Sequence, residues 1–161
     1  RLTELKPNAC SPSLLNYQMI RSPKTPEEWD QYFDLRYRVL REPWKQARGS
    51  ERNEGDAHAE HYAYFQDECI VGVGRLDVMS PSQCQIRFMA VESKNQGTGI
   101  GKALMLHMEK RAWEHGAQEI ILHAREIALP FYENLNYKIM EKSHLLFGEI
   151  QHYLMSKQPT Q

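Results

Sequence analysis

Three glycines at alternate positions, Gly97, Gly99 and Gly101, stand between a run of alternating apolar residues and a run with helical periodicity. Glycine reaches backbone conformations closed to other residues and has no side chain to hold a ligand away. In Gln96-Gly97-Thr98-Gly99-Ile100-Gly101-Lys102 the chain can therefore curl with its N–H groups pointing inward. The helix that follows adds its positive end. The sequence thus predicts a strand, an anion-binding curl and a helix as one unit, with a pyrophosphate as the ligand it fits.

Two common nucleotide-binding patterns fail on spacing. A phosphate loop of the form G-x-x-x-x-G-K-[ST] needs one more residue than Gly97 to Gly101 supplies, and Ala103 stands where a magnesium-binding hydroxyl belongs. The dinucleotide pattern G-x-G-x-x-G fails because Lys102 or Leu104 occupies the place of its last glycine. That pattern also follows the first strand of a parallel unit, whereas this curl follows three strands expected to be antiparallel.

The rest of the chain reads as alternating elements. Tyr17–Arg21 suits a first strand. Thr25-Pro26-Glu27-Glu28 is a helix start, with a capping hydroxyl, proline at the first position and acids at the positive end, and the helix runs to about Arg41 before Pro43. A polar stretch from Lys45 to Glu60 follows as a long loop with room for one short helix. Period-two runs at His61–Gln66, Cys69–Met79 and Cys84–Val91 form a meander. A helix spans Gly99–His115 and stops at Gly116, then come a strand at Glu119–Ala124, a helix at Ile127–Leu135, and strands at Tyr137–Met140 and Ile150–Met155 joined through residues 141–149. This order predicts an α/β (α+β) fold: a mixed, mostly antiparallel sheet of about six to seven strands flanked by about four helices.

Composition bounds the reading further. With 161 residues, 41% hydrophobic and 25% charged, the chain suits one globular domain, here residues 17–157 between a flexible arm at 1–16 and a tail at 158–161. The net charge of -1 gives no bulk field toward nucleic acid or anionic lipid, and no membrane segment or leader pattern is visible. Cys10, Cys69 and Cys84 lack C-x-x-C spacing and read as reduced thiols of a cytoplasmic protein. His58-x-x-His61 lacks a third ligand, so no metal is expected.

The glycine segment resembles the [QR]-x-x-G-x-[GA] signature of the GNAT acetyltransferase superfamily, matched by Gln96, Gly99 and Gly101. Ala128-Leu129-Pro130-Phe131-Tyr132-Glu133-Asn134-Leu135-Asn136-Tyr137 is similar to that family's A-x-x-F-Y-x-x-x-G-[FY] segment, departing at Asn136, where glycine is usual. Asparagine tolerates the same left-handed backbone. A finer likeness, in Arg48–Arg52, Gly74-Arg75-Leu76 and Ile86–Val91, is to the acetyltransferase module that precedes thioesterase domains in some bacterial proteins.

The resemblance implies an N-acyltransferase using acetyl-CoA (coenzyme A) as donor. It places the pyrophosphate on the backbone of Gln96, Gly97, Thr98, Gly99, Ile100, Gly101 and Lys102. The pantetheine arm would run along Met89, Ala90 and Val91, beside Phe131. Tyr132 takes the place of the general acid that protonates the thiolate. No acid precedes Glu92 on the fourth strand, so the base stays open among His123, Glu126 and His152. Arg75, Arg87 and Arg125 would grip an acidic acceptor if they share a face, or else pair with local acids such as Asp77 and Glu126. The acceptor is a small-molecule or protein amine, and a homodimer through the edges of the last strands is left open. A CoA-binding module without catalysis is the competing reading.

Overall fold

The computed structural model describes residues 17–160, so the arm expected at 1–16 lies outside them. A seven-stranded sheet runs in the order β1-β2-β3-β4-β5-β7-β6. Its strands are β1 (Gln18–Arg21), β2 (Glu60–Gln66), β3 (Cys69–Ser80), β4 (Gln83–Val91), β5 (Glu119–Arg125), β6 (Lys138–Leu146) and β7 (Ile150–Lys157). All neighbours pair antiparallel except β4 and β5.

Helix α1 (Pro26–Leu40) begins as its sequence dictates. The Thr25 hydroxyl accepts from the Glu28 N–H, and the Glu28 carboxylate accepts from the Thr25 N–H. It covers one sheet face, where Tyr32 and Leu35 join Ala63, Phe65 and Val73 in a buried cluster. Helix α2 (Ile100–Glu114) covers the other face with Ile100, Leu104, Met105, Met108 and Ala112, over Tyr62, Ile86, Ile120 and Leu122. In β2 the period-two pattern is literal: Tyr62 and Tyr64 face α2, and Ala63 and Phe65 face α1.

Several boundaries differ from those the sequence predicts. Three α-helices are present among the described residues, accompanied by four short 3₁₀ turns. The helix expected at Ile127–Leu135 is split into a 3₁₀ turn (Glu126–Ala128) and α3 (Leu129–Glu133), because Pro130 has no N–H to donate. Strand β6 runs to Leu146 rather than Met140, and the connection shrinks to residues 147–149, with Phe147 and Gly148 at positive φ. Glu141 to His144 are polar, and β6 is an exposed edge held by backbone pairing, so no alternation marks it. Cys69 is disulfide-bonded rather than a reduced thiol, whereas Cys84 is a buried free thiol, so the cysteines no longer point to a reducing compartment. Among the described residues no helix is long and apolar enough to cross a membrane.

Candidate active site

The site begins where two strands part. β4 and β5 pair only over Gln83–Gln85 with Glu119–Ile121, so from Ile86 onward the edge of β4 that faces β5 has no strand partner. The cause lies on the other edge of β4. Val73 pairs with Ala90 and Arg75 with Arg87, so Phe88 and Met89 oppose Gly74 alone. Phe88 takes a left-handed φ of 55°, which costs an L-residue about 1–2 kcal/mol. Such a bulge bends its strand and re-aims the chain. Gly74 is needed opposite it, since a Cβ there would come within 2.6 Å of Met108 Cε and 2.8 Å of Met89 Sδ. Four guanidiniums surround the Phe88 ring, with Arg36, Arg87, Arg75 and Arg41 at 4.3, 5.0, 5.1 and 5.8 Å from its centroid. Their attraction to the ring helps hold Phe88 in its strained conformation.

Two hollows open from this gap. The first, about 430 Å³, runs along Met89, Ala90 and Val91 to Gln96, Gly97, Gly99, Gly101 and Lys102, with Asn95 and Phe131. Gly97 and Gly99 have φ of 79° and 90°, and nothing lies within 4 Å of where their Cβ atoms would stand. Gly101 lies under Phe131, whose ring tip would be 3.3 Å from an added Cβ. The curl is tied down by its own side chains, the Gln96 amide donating to the Val91 carbonyl and the Thr98 hydroxyl to that of Asn95. Thr98 and Ile100 do not line the hollow, and Ile100 is buried in the core beneath α2. Asn95 Oδ1 is buried with no hydrogen-bond partner among the described residues. An open cradle of N–H groups at a helix start, beside an orphaned acceptor, fits a long ligand ending in a pyrophosphate.

The second hollow, about 220 Å³, lies on the α1 side of the sheet, where β5 and β7 extend beyond the helix. Arg87, Phe88 and Met89 of β4, His123 and Arg125 of β5, His144 of β6 and His152 of β7 line it, under Leu40, Arg41 and Trp44. Register explains the gathering. Gln85 pairs with Ile121 and Arg125 with His152, so Arg87, His123, Arg125 and His152 all project from one face. The His144 ring stacks on His152 at 4.3 Å and 18°, and His123 lies 5.3 Å from His144.

Tyr132 lines both hollows, as do Met89, Arg125 and Ala128. Its ring is edge-on to Phe131 at 4.9 Å and to Tyr137 at 6.0 Å. Tyr137 is itself fixed, donating to Glu109, which also binds Lys157. Burial pushes the Tyr132 phenol up to about 12, against the opposing pull of Arg125. The phenol therefore stays protonated, with its hydroxyl in no hydrogen bond to another described residue. His152 is buried, and its Nδ1 lies 3.0 Å from the Ile150 carbonyl oxygen. A carbonyl only accepts, so in the neutral ring Nδ1 carries the proton and Nε2 holds the lone pair. Burial lowers the His152 pKa, the Ile150 carbonyl opposes this, and His144, Arg125 and His123 lower it further.

The other residues singled out from the sequence fall in different places. His123 stands at the exposed rim of the second hollow, with Nδ1 3.0 Å from Ser143 Oγ. Glu126 lies outside the hollow, with the Tyr153 hydroxyl 3.4 Å away. Arg75 shares a face with Arg87 but is buried and enclosed, donating twice to Asp77 at 2.7 Å, and to Asp56 and Asn53. Asp56 also takes Arg36 at 2.8 Å, which pins the 3₁₀ turn Glu54–Ala57 to the sheet. The polar loop from Ala47 to Glu60 thus folds onto buried arginines and does not line the second hollow. Both His61 nitrogens are engaged, by the Tyr32 hydroxyl and the Asp56 carbonyl. Sequence reasoning missed Arg41, Trp44 and His144, which reach the hollow only because α1 ends over it and β6 extends beside β7.

Residues 26–159 match the family described as an acetyltransferase (GNAT) domain, so the chain belongs to the GNAT acetyltransferases. An uncharacterised N-acetyltransferase of Bacillus subtilis, YjcF, is 28% identical over 134 residues, which is 83% of this chain and 95% of that protein. An aminoglycoside 6'-N-acetyltransferase solved with coenzyme A superposes with a TM-score of 0.73 at 19% identity, covering 88% of this chain and 96% of that one. A GNAT family acetyltransferase from Elizabethkingia anophelis, solved with acetyl-CoA bound, gives 0.67 at 16% identity over 89% and 97%. These two solved structures share the fold.

Proposed function

We propose that the chain transfers an acetyl group from acetyl-CoA to a primary amine by direct attack in a ternary complex. One observation carries this reading: two hollows of different chemistry meet at Tyr132, one lined by the glycine curl and the free edge of β4 and the other by cationic and imidazole side chains. Acetyl-CoA supplies the activated acyl group. The Gly97–Lys102 curl holds its pyrophosphate, and the free edge of β4 at Met89–Val91 pairs with its pantetheine arm. Asn95 Oδ1 offers an acceptor to an N–H of the bound donor.

In the acceptor hollow, His152 Nε2 takes a proton from the ammonium, so that nitrogen attacks as the neutral amine. As the N–C bond forms, a backbone N–H of β4 between Met89 and Val91 receives the negative charge on the carbonyl oxygen. As the C–S bond breaks, the Tyr132 hydroxyl gives its proton to sulfur, and the second proton of the attacking nitrogen passes through solvent to the tyrosinate. The products are an N-acetylated amine and free CoA thiol, with His152 and Tyr132 re-equilibrating through solvent. His123 is the alternative base, at the solvent end of the stacked histidines.

The test is release of free thiol from acetyl-CoA across a panel of amines, for the wild type and for Tyr132→Phe. Turnover with at least one amine, lost largely in the variant, is the expected result. Tight acetyl-CoA binding with no turnover on a wide panel would instead identify a CoA-binding module without catalysis.

A further inference from the structure

We propose that the second hollow selects a primary amine that also carries a carboxylate or phosphate, gripped by Arg41, Arg87 and Arg125. This rests on the acetyl-transfer reading above and adds to it the class of acceptor.

The observation is a charge imbalance. Among the described residues lining the hollow, three arginines stand with no aspartate or glutamate. Arg87 makes no hydrogen bond or ion pair with a described carboxylate. Arg41 spends Nε and one terminal nitrogen on the carbonyls of Ser50 and Leu40. Arg125 lies 5.6 Å from the Trp44 ring centroid and pairs with no acid among the described residues. Glu126 and Glu149 share an adjoining hollow with Arg125 but form no ion pair with it, and the other carboxylates nearby are committed elsewhere. Asp56 and Asp77 belong to Arg36 and Arg75. Glu51, which lends Arg41 an opposing field, accepts from the Gly49 N–H at 2.6 Å and lies 3.7 Å from Arg52.

Half-burying cations without counter-charge is unfavourable, and here the cations also repel one another. Burial first, then the Arg75 charge, lowers the basicity of Arg87, with Asp77 and Asp56 only partly opposing this. Burial, then Arg36 and Arg87, does the same at Arg41. A bound carboxylate or phosphate relieves that repulsion and accepts the paired N–H groups a guanidinium presents. The histidines do not supply the missing negative charge, since neutral imidazole has none.

The same field serves the reacting end of the acceptor. Neighbouring positive charge lowers the pKa of an ammonium and so favours the neutral amine that attacks. It also disfavours a diamine, whose second ammonium would meet the arginines. The hollow thus treats the two ends of one molecule oppositely, holding the anion and discharging the cation.

The experiment uses the full chain with acetyl-CoA and matched acceptors: β-alanine against its amide, phosphoethanolamine against ethanolamine, and 1,3-diaminopropane as the dication. Within at least one pair the anionic member should have a kcat/KM about tenfold or more above its neutral twin, as expected for charge-assisted hydrogen bonds. Which pair shows it tells carboxylate from phosphate. Arg87→Gln and Arg41→Gln should each shrink that ratio about tenfold while acetyl-CoA affinity, read by calorimetry, stays unchanged. Preference for the neutral twins or the diamine overturns the proposal, as does an equal loss on both members of a pair. If no amine is turned over, acetyl transfer falls, and titration with inorganic phosphate and acetate decides this inference separately. Binding weakened about tenfold by Arg87→Gln supports it. Absent binding, or binding indifferent to Arg87 and Arg41, overturns it.

Discussion

Arg75 and Arg87 are direct register partners on β3 and β4, yet Arg75 is enclosed by Asp77 and Asp56 while Arg87 opens into the second hollow. Identical side chains on neighbouring strands therefore do different work. Arg75→Leu leaves Asp77 and part of Asp56 without their cation in a buried site, and should cost about 3–5 kcal/mol in urea unfolding. Arg87→Gln should stay within about 0.5 kcal/mol of the wild type in the same measurement.

Gly99 caps α2 with φ of 90°. Gly99→Ala should cost about 1 kcal/mol of stability through left-handed strain. The added methyl also projects into the space above the curl, so acetyl-CoA should bind about tenfold or more weakly by calorimetry, a loss of about 1.4 kcal/mol.

Tyr132→Phe removes the hydroxyl and keeps the ring packed against Phe131 and Tyr137. The expected result is a fall in kcat of about 10²-fold. Acetyl-CoA affinity should be unchanged, which marks an interaction made in the transition state.

In the proposed reaction His152 acts as a neutral base, and its pKa lies below the ordinary 6.5 because of burial and because His144, Arg125 and His123 face it. Below that pKa the ring is protonated and cannot act as base. The acid limb of kcat/KM should therefore fall below pH 6.5, and should disappear in His152→Gln together with most of kcat. Tyr132, raised to about 12, should add no alkaline limb up to pH 10.

Glu28 closes the capping box of α1, and Arg21 hydrogen bonds hold its carboxyl down to about 2, helped by the N–H groups of Lys24 and Thr25 and opposed by burial. A depressed carboxylate stabilises the fold above its unfolded value of 4.5, and that contribution is lost as pH falls toward 2. Glu28→Gln should lower stability by about 1 kcal/mol at pH 7, with a smaller difference from the wild type at pH 3.

The elements read most directly from the sequence were those whose local chemistry is self-sufficient. Thr25-Pro26-Glu27-Glu28 carries every group of its cap, and the alternation in β2 names both of its faces. The donor hollow was legible for the same reason, since the curl and the strand before it are contiguous in sequence. The second hollow was not, because its residues come from four strands and the end of α1. Arg41 differs from Arg36 in nothing that sequence displays, yet one is buried against Asp56 and the other lines a cavity. The far half of β6 carries no signal in the sequence, because a solvent-facing edge strand needs no apolar alternation.

Tyr132, Met89, Arg125 and Ala128 belong to both hollows. Two ligands that touch the same four side chains cannot bind independently. Whatever factor a bound donor contributes to acceptor affinity, a bound acceptor must return to the donor. Kd values for a non-reactive acceptor analogue with and without CoA, and for CoA with and without the analogue, should therefore close a thermodynamic square. The difference between opposite sides of that square measures how far the shared wall makes one binding event conditional on the other.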